Sequence, residues 1–364
     1  MKQTKFIDAH KKYGAKLVEF AGFEMPIQYS SIIAEHKAVR NSVGVFDVSH
    51  MGEIFVRGKN ALDFIQNITV NNAANLVNGK VQYSAMCYED GGIVDDLLVY
   101  KISETEYMLV VNGANKEKDF EWMKQNNKNN AELSDESDDY SLLAVQGPNS
   151  KKVVEKLLNQ TIELEYYSFL KTQFEQNEII ISRTGYTGEL GYELYFKGSK
   201  ELAEKIWEGL FEAGKEYSIQ PAGLGCRDSL RLEMGFCLYG NDIDETTNTL
   251  EAGLGWITKM KKGEFIGRLA LEKIKENGLK RKLVPIIFDD KVFPRKGYEI
   301  LKDGKIIGKI TSGTVSPIID KPIALAYVEK EFSEMGSIIQ ASIRGKGVFA
   351  TITNLPFIKN KNEN

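Results

Sequence analysis

The sequence predicts an α+β fold in which two helix-covered antiparallel sheets are followed by a small C-terminal β-barrel or sandwich. Three observations carry this. Residues 53–124 read in the order β-α-β-β-β-α, residues 142–213 repeat a similar mixture, and the chain beyond 282 is strand and turn alone.

Ser30-Ser31 opens a helical stripe of Ile32, His36, Val39 and Val43 that Gly44 closes. A strand over 53–57 leads to a helix with Ala61, Leu62, Ile65 and Ile68 inward. A hairpin follows, its strands over 81–88 and 93–102 joined by Glu89-Asp90-Gly91-Gly92. The strand 107–111 passes through Asn112-Gly113-Ala114-Asn115 into a helix over 116–124. The polar stretch 125–139 reads as a surface loop and a subdomain boundary.

The second set begins with a strand over 142–146 and a helix carrying Val153, Val154 and Leu157. Strands over 178–183 and 192–196 precede a helix over 200–213. Pro221-Ala222-Gly223 then starts another helix, with proline at or near its first turn. The Lys-rich stretch 272–282 reads as a linker, and the last residues, 359–364, as a frayed tail. The chain is thus divided into 1–276, with 53–140 an inserted α+β subdomain, and a barrel domain over 277–364.

A hydrophobic fraction of 42% with 27% charged residues is that of a soluble globular protein. No apolar run is long enough to span a membrane, no signal core follows the N-terminus, and the expected location is cytoplasmic. Cys87, Cys226 and Cys237 lack a paired spacing and read as free thiols. His10, His36 and His50 are scattered, which argues against a zinc site. From Asn277 onward there are 15 Lys+Arg against 9 Asp+Glu, leaving 32 against 42 before it. Such a basic region is either a solvated surface or a dock for an acidic partner. Nucleic acid is disfavoured, because the basic residues are not clustered with aromatics.

The chemistry-bearing feature is Asp95-Asp96 within Ile93–Tyr100, a run that is otherwise apolar on both faces. Strand alternation sends the two carboxylates opposite ways, so at least one enters the interior at a cost of several kcal/mol unless it meets a partner. Downstream, Arg183-Thr184-Gly185-Tyr186-Thr187-Gly188-Glu189-Leu190-Gly191-Tyr192-Glu193 combines glycines, which admit a flat ligand, with carboxylates that accept paired hydrogen bonds from an amino-substituted ring. The alternative is a polar hairpin with Glu193 in solvent. Arg227 and Arg231, one turn apart, suit a carboxylate or tie up Asp228 or Glu233. The GxG before them lacks a third glycine and a preceding strand, which rejects a dinucleotide site. No phosphate loop, nucleophile elbow or HExxH occurs.

Taken in order, Phe46-Asp47-Val48-Ser49-His50-Met51-Gly52, Gly91-Gly92-Ile93-Val94-Asp95-Asp96, Arg183-Thr184-Gly185-Tyr186-Thr187-Gly188-Glu189 and Pro221-Ala222-Gly223-Leu224-Gly225-Cys226-Arg227-Asp228 closely resemble the aminomethyltransferase (T-protein) family of the glycine cleavage system. The resemblance runs from about Phe6 to Phe357. It implies a three-subdomain cloverleaf with tetrahydrofolate as co-substrate at its centre, and no metal, pyridoxal phosphate or nucleotide cofactor. The implied partner is the lipoylated H-protein, whose aminomethyl group yields ammonia and methylenetetrahydrofolate.

By position in the family's motifs, Asp96 is the residue beside the reactive folate nitrogens and Glu193 the one that grips the pterin. Met51, Tyr83, Asn112, Tyr186 and Arg227 match other folate-lining positions. Asp95 becomes the structural member of the pair. Phe236 stands where some relatives carry Tyr, so no ligand hydrogen bond is assigned there, and His50 is given no role. Because H-proteins are generally acidic, Arg295 in a barrel loop is the candidate docking residue. Flavin-linked demethylating dehydrogenases share the fold, but no dinucleotide fingerprint precedes this chain. The folate-dependent factors of iron–sulfur maintenance carry a Lys-Gly-Cys-Tyr segment where this chain has Arg-Thr-Gly-Tyr. A non-catalytic folate binder is disfavoured by the retention of Asp96 and Arg227.

Overall fold

A computed structural model describes residues 1–359. A six-stranded sheet has the order Phe169–Phe174, Asn177–Ser182, Gly191–Lys197, Tyr140–Gln146, Gly44–Asp47, Gln220–Pro221. A five-stranded antiparallel sheet has the order Val81–Cys87, Ile93–Ser103, Glu106–Val111, Gly52–Arg57, Glu132–Asp135. A closed six-stranded barrel occupies the C-terminal part. The predicted α+β class and barrel are both present. Among the described residues, no helix is long and apolar enough to cross a membrane.

Strand alternation decides what lies between the sheets. Tyr192, Leu194 and Phe196 face helices Ser150–Leu158 and Lys200–Ala213, and Tyr195 turns to the opposite face. On the other sheet, Leu97 and Val99 face helix Ala61–Ile68, while Leu98 and Tyr100 turn inward. Phe46, Leu142 and Ile180 therefore meet Phe55, Val81 and Met108 in a shared layer. Each large apolar side chain buried this way contributes about 1.5–3 kcal/mol. The Tyr100 and Tyr195 hydroxyls, 2.9 Å apart, join the sheets across that layer.

Helix Leu224–Met234 fixes the barrel to the rest. Its Arg231 donates to Asp242 at 2.6 Å and to Ser312 of barrel strand Lys305–Ser316 at 2.8 Å. Glu233 accepts from His36 at 3.0 Å, from Arg40 at 2.9 Å, and from Ser316 of the same strand. Both acids are wholly buried, so these partners are what makes their burial tolerable.

Three sequence expectations need correction. The stretch 125–139 contains strand Glu132–Asp135, paired with Gly52–Arg57. As a short edge strand it accommodates polar residues that hide it from a hydrophobicity reading. The supposed linker 272–282 is mostly helix Arg268–Asn277 followed by the start of strand Arg281–Phe288. That helix buries Leu271 alone and is laced by Arg268–Glu272 at 2.9 Å, so its apolar stripe is nearly absent. Pro221 precedes its helix: Gln220–Pro221 pairs parallel with Gly44–Val45, and Gly223 is the N-cap. A Cβ at Gly223 would lie 2.4 Å from the Ile27 carbonyl oxygen, so only glycine fits there. The tail beyond Lys359 lies outside the described residues.

Candidate active site

Asp96 projects from strand Ile93–Ser103 on the Leu98 and Tyr100 side, toward the gap between the sheets. Tyr83, on the neighbouring strand and opposite Leu98, reaches diagonally and donates to Asp96 Oδ2 at 2.9 Å. Asn112 Nδ2 donates to Asp96 Oδ1 at 2.8 Å and to Asp95 Oδ1 at 2.9 Å, linking both carboxylates with one amide. Asp95 is wholly buried, whereas Asp96 keeps some accessible surface. Burial, and then the Asp95 charge, push the Asp96 carboxyl up to about 7, against the pull of Tyr83 and Asn112.

Glu193 faces this strand from the other sheet. It is buried, not solvated, and accepts hydrogen bonds from Thr184 and from Tyr195, the latter at 3.2 Å. Burial raises its affinity for a proton, while Thr184 and the nearby Arg227 charge oppose this. The Arg227 guanidinium lies 4.6 Å from the Tyr186 ring centroid and donates to no acceptor among the described residues. Arg231 behaves differently, since Asp228, Asp242 and Ser312 engage it fully. The two arginines are therefore not a joint clamp, and Arg227 alone has donors to offer. Tyr186 stacks on Phe236 at 5.8 Å and donates to the Cys237 carbonyl.

Met51 is partly buried against the intersheet layer. The structure thus brings Asp96, Tyr83, Asn112, Glu193, Arg227, Tyr186 and Met51 to the region between the sheets. Arg295 stands apart, exposed in the barrel loop 289–298, and makes no ion pair among the described residues. Its neighbour Lys296 donates to the Gly240 carbonyl, which ties that loop to the segment beside Ile93. A cavity of about 730 Å³ along Arg183, Gly185, Met234 and Phe236 adjoins the Thr184–Tyr186 loop, but neither Asp96 nor Arg227 lines it. No group of three or more His, Cys, Asp and Glu side chains suited to a metal ion occurs among the described residues.

Two further buried groups belong to this region, His50, to which the sequence reading gave no role, and Asp119, which it missed. His50 has an unpartnered Nδ1, and burial followed by the Arg227 charge lowers it to about 4. Asp119 sits behind Asp95 on helix Lys116–Gln125, with no N–H or hydroxyl donor hydrogen-bonded to either oxygen among the described residues. A signal for Asp119 existed: it falls four residues after Asn115 and four before the buried Met123, on the inward side of its helix.

Two α+β sheets facing each other across buried acids and an arginine stacked on Tyr186, with a closed barrel appended, define the class of fold to which the chain belongs. The GCVT N-terminal domain family matches residues 6–262, and the glycine cleavage T-protein C-terminal barrel domain matches 281–359. The aminomethyltransferase of Halothermothrix orenii is 51% identical, aligned over 98% of this chain and all of that protein. That of Flavobacterium psychrophilum is 50% identical over 99% of this chain and all of its own length. The crystal structure of the glycine cleavage system aminomethyltransferase T of Bartonella henselae superposes with a TM-score of 0.92 at 32% identity, covering 99% of this chain and 98% of that one. The chain belongs to the aminomethyltransferases of the glycine cleavage system, the T-proteins.

Proposed function

We propose that the site accepts tetrahydrofolate and an aminomethyl group borne on the lipoyl arm of H-protein, and that the reaction runs in the cytoplasm. The carbon–sulfur and carbon–nitrogen bonds of that group break, and the carbon bridges two folate nitrogens. The two folate N–H protons leave, one with ammonia and one with the lipoyl thiol. The products are 5,10-methylenetetrahydrofolate, ammonia and dihydrolipoyl H-protein.

The observation that carries this is Asp96: a carboxylate held by Tyr83 and Asn112, poised near neutrality, and still accessible from the intersheet gap. A group so tuned exchanges protons at working pH and stabilises a developing iminium charge when ionised. Across the gap, Glu193 has the chemistry to accept hydrogen bonds from an aminopterin edge, and Arg227 has free donors for oxygens of the same ligand. Tyr186, stacked between Phe236 and Arg227, supplies a flat wall.

Folate titration separates these roles. Asp96→Asn is expected to bind tetrahydrofolate within a few-fold of wild type while turnover falls by about 10²-fold or more. Glu193→Gln is expected to weaken folate binding by about tenfold. An Asp96→Asn protein of undiminished turnover would sink the assignment.

A further inference from the structure

Behind Asp96 lies a second acid pair that the transfer chemistry does not itself require. Asp95 accepts from the Asn112 backbone N–H at 3.0 Å, from Asn112 Nδ2 at 2.9 Å and from Asn115 Nδ2 at 2.7 Å. Helix Lys116–Gln125 then carries the wholly buried Asp119 one turn beyond Asn115, its backbone N–H on the Asn115 carbonyl at 2.8 Å, which sets its carboxyl beside the same carboxylate. Among the described residues no donor hydrogen-bonds either Asp119 oxygen, and the Lys118 ammonium pairs with one of them only at 3.6 Å while donating to the Val94 carbonyl. Two buried carboxyls in contact hold one proton between them, because both cannot be ionised at such short range. Three amide donors already favour the charged form on Asp95, which leaves the proton on Asp119.

We infer that Asp119 is a positioning residue: a neutral carboxylic acid that donates to Asp95 and keeps it the anion on which the Asn112 amide is anchored. Asn112 is the amide that also holds Asp96, so the chain Asp119–Asp95–Asn112–Asp96 fixes the orientation of the Asp96 carboxylate from behind. It also sets how much negative charge stands next to it. Beside Lys118, the titratable groups that feel this pair are Tyr88 and Tyr239, with Glu245 beside both tyrosines and Asp90 beside Tyr88. This inference rests on the aminomethyltransferase reading only for its kinetic arm.

The test uses the full chain with Asp119→Asn, which keeps an N–H donor, and Asp119→Leu, which keeps the volume alone. Ammonia release is followed against pH with aminomethylated H-protein and tetrahydrofolate, and infrared difference spectra are recorded without substrates. The Asn variant is expected to stay within about threefold of wild type, with an unmoved pH profile. The Leu variant is expected to lose about tenfold in kcat, with its acid limb displaced and the folate KM within about twofold, as for one lost hydrogen bond to a charge. The wild-type minus Asn spectrum is expected to show a protonated-carboxyl stretch at neutral pH. Equal kinetics in both variants would reduce Asp119 to packing, and an Asn variant as impaired as Leu would overturn the neutral-donor role. Absence of that band from the difference spectrum, or from the wild-type spectrum itself where the Asn variant does not fold, would overturn the proposal. A wild type silent in the ammonia assay would defeat the enzymatic reading and leave the infrared test standing.

Discussion

Burial of Asp96 lowers the stability of the folded chain wherever that carboxyl is ionised. Its proton affinity in the folded state exceeds that of the unfolded chain, because burial and then Asp95 oppose its charge. The folded state therefore binds more protons between the two values, and the stability the neutral form contributes is lost as pH rises through about 7. Asp96→Asn is expected to melt at or above the wild-type temperature at alkaline pH, with the advantage shrinking in acid. A scanning calorimeter reads this directly, and a variant less stable than wild type in alkali would contradict it. Sequence reasoning reached Asp96 because an acid in an apolar strand is conspicuous, and motif order told it from Asp95. It did not reach Asp119, whose helix is polar in composition and whose partner lies 24 positions earlier in the chain.

At the scale of elements, the site depends on how closely the Asn112–Asn115 turn approaches the segment before Gly52–Arg57. A Cβ at Gly113 would stand 2.2 Å from the His50 carbonyl oxygen, so backbone must move to admit it. Gly113→Ala is expected to cost about 1–3 kcal/mol in chemical denaturation, as overpacking does. Turnover should fall further than stability explains, because Asn112 moves with the turn. Normal stability and turnover together would show that the turn is slack. Strands 81–88, 93–102 and 107–111 were legible because their alternation and turn residues are strong signals. Strand Glu132–Asp135 and helix Arg268–Asn277 were not, since an edge pairing and one buried leucine leave little periodic trace.

For the whole molecule, a few buried ions join the barrel to the lobes. Arg231→Met would leave Asp242 without its cation in a dry setting, at an expected cost of about 3–5 kcal/mol in a urea titration. An effect below about 1 kcal/mol would contradict that role. Arg295, by contrast, is exposed on the barrel surface, and its proposed role is partner docking. Arg295→Glu is expected to raise the apparent KM for H-protein, more so at low salt, with the folate KM unchanged. An unchanged KM at low ionic strength would remove it from the interface. The central claim concerns Asp96 and is tested by ammonia release from aminomethylated H-protein, with and without tetrahydrofolate, in wild type and Asp96→Asn. Rapid release that needs both folate and Asp96 is the predicted result; release at the same rate without folate, or in the Asn variant, would contradict it.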